Sequence, residues 1–152
     1  MPMNLKVTGI AEACNRLTLL QQVVRDDFTR RALKAAAEVI AEEQRSLAPV
    51  LDEKTANSDA LEPGALRAGI GVRIHKDGEG YLTALIGPKK GTRRVAHSVE
   101  YGHLQRVGPG GAKTVGHVPA HPFLRPAFDA KWQQAVAVFA LTMKNLWKGV
   151  VK

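Results

Sequence analysis

"AGIGVRIHKDGEGYLTALIGP", residues 68–88, decides the fold class. Ile70, Val72 and Ile74 alternate with small or polar residues, the chain turns at "KDGEG", and Leu82, Ala84 and Ile86 resume the same period. Alternation on both sides of a Gly-rich turn predicts a β-hairpin. Upstream, the period changes to that of a helix from about residue 9 to 48. Leu17, Leu20, Val24, Phe28, Leu33, Ala36, Ala37, Ile40 and Leu47 keep to a similar face, and the run "ALKAAAEVIAEEQ" favours helix intrinsically. Asp26 and Asp27, just before Phe28, could cap a second helix and divide this segment in two. Pro49 ends it, because the residue before a proline is pushed out of the helical region.

Downstream, "RVAHSVEYG" (94–102) fits a third strand or a short helical turn followed by a strand, and periodicity does not separate the two. Two polar stretches read as mobile surface loops: residues 50–63, "VLDEKTANSDALEP", and the Gly-rich run 102–119 with Pro109, Gly110 and Gly111 together. The last segment is helical. Phe128, Trp132, Val136, Phe139, Met143 and Leu146 recur three or four residues apart, and Pro126 suits a first turn, where its missing N–H is not needed. Such a face needs a partner, and the hairpin sheet supplies one. The expected architecture is α+β: N-terminal helices, a small antiparallel β-sheet and a long C-terminal helix packed on the sheet, in one domain covering residues 1–152.

Composition narrows the function. Apolar residues make up 45% of the chain and charged residues 24%, the balance of a folded globular protein. A single cysteine, Cys14, permits no internal disulfide. The first ten residues carry no basic segment leading into an apolar stretch, so no signal peptide is expected, and no apolar run is long enough to span a bilayer. The formal charge of +8 is unevenly spread. Lys89, Lys90, Arg93, Arg94, Arg106 and Lys113 face one acid, Glu100, over the same stretch, a candidate surface toward DNA or an acidic partner. Only Tyr101 is interleaved with these charges, so contact with nucleic acid would be electrostatic and blind to sequence.

Catalytic patterns are not found. His117 and His121 have the spacing of a helical zinc pair, but Pro119 between them and Pro122 after them prevent the helix that geometry needs. "GPKKGT" (87–92) lacks the spacing of a phosphate-binding loop. Cys14 has no His nearby in sequence, and Glu42, Glu43, Asp52 and Glu53 read as solvated. Neither a catalytic site nor a cofactor or metal is expected.

One ordered set of motifs remains: "VTGIAEACNRL" at the start, Ala48-Pro49, Gly64-Ala65-Leu66-Arg67, Val99-Glu100-Tyr101-Gly102, and Pro119 through Ala127 with Pro122, Phe123, Leu124, Arg125 and Pro126. In that order and spacing the chain resembles the tail-component family of lambdoid and related long-tailed phages, its tail completion or neck proteins. Two departures stand out: the stretch after Pro49 is longer than the family's usual link, and His103 stands where the family usually has Thr. The resemblance implies a structural virion protein, made in the host bacterial cytoplasm, that joins head connector and tail as a multi-copy ring, with a hexamer expected. Its neighbours would be head-connector, tail-terminator or tail-tube proteins, with possible non-specific contact with packaged DNA and no membrane. The alternative is a small basic DNA-binding protein. For "VPAHPFLRP", residues 118–126, proline fixes the backbone before docking. Phe123 and Leu124 then plug the domain's own core rather than a neighbour's.

Overall fold

A computed structural model describes residues 10–50, 62–107 and 113–150. Helix α1 (Ile10–Leu47) is followed by a single-turn helix α2 (Ala65–Gly69), strands β1 (Ile70–Lys76) and β2 (Leu82–Pro88), helix α3 (Arg93–Tyr101), strands β3 (His103–Val107) and β4 (Lys113–Val118), and helix α4 (Leu124–Val150). The α+β class and the order helix, sheet, helix are as the sequence predicts. Most of the long 50–63 stretch lies outside the described residues.

The predicted hairpin forms in register. Val72 pairs with Ile86 and Ile74 with Ala84, placing one apolar set on one face, while Arg73 opposite Leu85 and Gly71 opposite Gly87 occupy the other. The apolar face packs on α1, whose inner stripe is mostly alanine: Ala32, Ala36, Ala37 and Ala41 are buried with Ile40, as is Ala48 just past its end. Small side chains let the helix lie close to whatever it covers. At 38 residues, α1 runs roughly 57 Å at 1.5 Å per residue.

The helix is not divided at Asp26 and Asp27, as it could have been. Those carboxylates are used sideways rather than as caps. Asp27 pairs with Arg31 one turn on, 2.8 Å apart, and Asp26 accepts a hydrogen bond from Lys76 at the end of β1.

The principal partner of α4 is α1. The two run antiparallel: Lys131 meets Glu43, Ala135 meets Ala36 and Ile40, and Trp147 stacks edge-on against Phe28 at 5.7 Å. The sheet meets α4 at Ile86, beside Ala135 and Phe139. The buried face of α4 is therefore Ala127 and Ala135, with Phe139 partly buried beside them, while Phe128, Trp132 and Val136 of the predicted stripe are exposed.

The second correction concerns residues 102–119. They are not a loop but largely an antiparallel hairpin, with His103 opposite Val118, Leu104 opposite His117, and a register slip between Gln105 and Arg106. The open alternative at 94–102 resolves to helix α3.

Candidate functional site

Two sequence-distant motifs meet at one carboxylate. Glu100 is buried, and its Oε2 accepts hydrogen bonds from the backbone N–H groups of Phe123 (2.8 Å) and Leu124 (3.0 Å), its Oε1 from that of Arg125 (3.3 Å). These are among the first N–H groups of α4, which have no partner within the helix. A carboxylate there also suits the positive end of the helix dipole. One residue earlier, the Val99 carbonyl accepts from the His121 N–H at 2.7 Å. Gly102 completes the turn out of α3 at φ 73°, where a Cβ would stand 2.7 Å from the Val118 carbonyl oxygen. Only glycine fits both constraints.

Around this joint the remaining motif residues form the core. Ala48, Leu66 and Phe123 are buried together with Ala41, Ile70 and Ala96, and Val99 and Leu124 pack against them. Phe123, at 1% exposure, is the largest fully buried side chain described. Arg67 donates from Nη2 to the Ala48 carbonyl, 3.0 Å away, tying the Gly-Ala-Leu-Arg element to the end of the first helix. Tyr101, Pro119, Pro122, Arg125 and Pro126 are exposed around its rim.

A groove of about 430 Å³ opens between α1, β2 and α4. Its walls are almost wholly apolar: Leu33 and Ile40 from α1, Leu82 and Ile86 from β2, Phe128, Trp132 and Val136 from α4. Phe128, Trp132 and Val136 are 51%, 46% and 58% exposed. The stripe that identified α4 as a helix thus faces outward along its first half.

The β3–β4 hairpin is an arm. Its strands pair chiefly with each other, none of its described side chains is buried, and Leu104 and Val115 are half exposed. Two isolated strands are marginally stable in water.

The predicted basic residues are all exposed but do not form one surface. Lys90, Arg93 and Arg94 line one concavity with His97 at the start of α3. Lys89 lies in the turn before it, whereas Arg106 and Lys113 belong to the arm. His117 is on strand β4 and His121 in the extended segment before α4. Among the described residues no group of three or more His, Cys, Asp or Glu side chains could hold a metal ion, and no helix is long and apolar enough to cross a membrane.

Sequence reasoning placed Glu100 in the Val-Glu-aromatic-Gly motif and as the lone acid in a basic stretch, without assigning it a partner. A signal was present: residues 121–125 contain no Ser, Thr, Asp or Asn, so the cap of the last helix has to come from elsewhere in the chain. The arm had no such signal, because strands exposed on both faces carry no apolar alternation.

A family model described as "Bacteriophage HK97-gp10, putative tail-component" matches residues 11–102, from the first turn of α1 to the glycine that closes the Glu100 joint. No curated protein and no solved structure matches the chain.

Proposed function

The chain belongs to the HK97-gp10-like family of bacteriophage tail components, and we propose that within the tail it is a neck protein, joining head connector to tail as a closed ring of identical copies, hexameric by expectation. The described residues act as a single domain, the role is structural, and the neighbours along the axis are the head connector and the terminator or tube of the tail. The protein is made in the host cytoplasm and works in the virion.

The observation that carries this reading is the uncovered apolar groove along α4. Exposed apolar surface of this kind marks an interaction site. A ring needs two different, complementary patches on each subunit. The protein has two: the groove, and an arm with apolar residues and no support of its own. In the proposal the arm of one copy lies in the groove of the next, burying Leu104 and Val115 against Phe128 and Trp132.

The test is made on the purified protein and on particles. Light scattering after size exclusion should give a discrete closed multimer, and Trp132→Glu should reduce it to monomer without unfolding it. Phage lacking the protein should accumulate unjoined heads and tails. Normal joining in its absence would overturn the neck assignment, and a multimer indifferent to Trp132→Glu would overturn the groove as its interface.

A further inference from the structure

We propose that a cationic trough between the outer face of the β1–β2 hairpin and helix α3 seats the phosphate backbone of duplex DNA. This deepens the neck reading, which places the protein beside a DNA path.

The floor of the trough is the cross-strand pair Gly71 and Gly87. Neither has a side chain; a Cβ on Gly87 would meet nothing within 4 Å, and one on Gly71 would meet only the end of the Lys89 side chain, at 3.6 Å. One wall is Arg73 with Leu85, the next pair along the same face. The other wall is the exposed stripe of α3, Arg93, His97 and Tyr101, spaced by four residues and so aligned along the helix. At the start of α3 the trough continues into the concavity lined by Lys90 and Arg94, which shares Arg93 and His97 with it.

Arg73, Lys90, Arg93 and Arg94 therefore line two adjoining depressions that share Arg93 and His97. Among the described residues none of them forms a salt bridge. The one acid lining the trough, Glu100, is buried, with both oxygens already accepting from the backbone of α4. The first turn of α3 holds no acid to offset its own positive end. Unpaired like charges held side by side complement an anion.

The arrangement selects the kind of anion. The charges are strung along the trough instead of converging on a point, which suits an extended polyanion of regular spacing rather than a small phosphate. The exposed rings on the walls are Tyr101 and the His97 imidazole, which lie against each other with centroids 4.9 Å apart, too little for a single strand that binds by stacking its bases. Arginine and lysine on phosphates hold position without reading sequence. Arg73 was outside the basic stretch singled out in the sequence. Arg106 and Lys113, which were inside it, are left to the arm.

The test is fluorescence anisotropy of a labelled, mixed-sequence duplex titrated with the full-length protein over a range of salt. Binding should be measurable at low ionic strength, with an affinity that falls by a log–log slope of about 0.9 per phosphate contacted. Arg73→Ala combined with Arg94→Ala should weaken binding about tenfold or more and remove roughly two contacts from that slope. Arg106→Ala should leave both unchanged. Both trough residues are exposed, and an unaltered melting curve verifies that the double variant is folded. The proposal fails if no duplex binds at low salt, if the double variant keeps the wild-type slope, or if polyglutamate binds where duplex does not, which would assign the trough to an acidic protein. None of these outcomes alters the mass of the multimer, so the ring reading stands or falls separately.

Discussion

Phe123 and Phe128 stand little more than one helical turn apart, and they have opposite fates. Phe123 is sealed in the core under the Glu100 joint, whereas Phe128 is half exposed at the mouth of the groove. Chemistry does not distinguish them. What differs is position: Phe123 precedes α4 and enters the core at the Glu100 joint, whereas Phe128 lies on α4, whose buried side is Ala127 and Ala135, and is turned away from it. The core is already complete without the stripe of Phe128, Trp132 and Val136. The buried motif residues therefore build the body, and the exposed apolar stripe of α4 lies in residues that carry no motif.

Breaking the buried side of this contrast has the largest effect. Phe123→Ala should destabilise the protein by about 3–5 kcal/mol, the usual cost of emptying a buried aromatic site, read as a shift of the urea midpoint. Next is Gly102→Ala, which meets both an unfavourable φ and the Val118 carbonyl. A loss of about 1–3 kcal/mol is expected from such strain, and a change below the error of the unfolding curve would mean the turn relaxes freely. Glu100→Gln should cost about 1.5–3 kcal/mol, since it exchanges charge-assisted hydrogen bonds for neutral ones and puts an amide NH₂ beside N–H donors.

The exposed side behaves inversely. Trp132→Glu should change the unfolding free energy by no more than about 1 kcal/mol while abolishing the multimer. If it unfolds the protein instead, the groove belongs to the core and the contrast disappears. The smallest effect is on the body's edge. The Lys76 hydrogen bond holds the Asp26 carboxyl below its ordinary value of 3.8. A depressed carboxylate contributes stability that is present above that ordinary value and is lost as the pH falls through the folded value. Asp26→Asn should therefore remove a slight acid-limb slope from the stability profile and leave neutral pH almost unchanged.

How much of this was legible follows from where water is. The β1–β2 hairpin and the end of α1 at Pro49 were readable, because one-sided burial and a proline leave marks on the sequence. So was the plugging of the core by Phe123. The outward turn of Trp132 was not, since a helical stripe shows that a face is apolar and not what covers it. Whether α1 passes unbroken through Asp26 and Asp27 stayed open in the sequence, because an aspartate that reaches Lys76 across the fold looks the same there as one that caps. The arm was missed because both its faces are wet. The trough was hidden for another reason: Arg73 and Arg93 come from separate elements, and the absence of side chains at Gly71 and Gly87 matters only once those two residues are paired.

The Glu100 joint also has a mechanical meaning. The start of the last helix and the segment leading into it are attached to α3 by four hydrogen bonds, three to one carboxylate and one to the neighbouring carbonyl. They are crowded into consecutive turns of chain, so a pull on α4 loads them side by side, and they have to yield together rather than unzip. Tension applied to that helix therefore passes into the body through the Glu100 joint, as into a rivet.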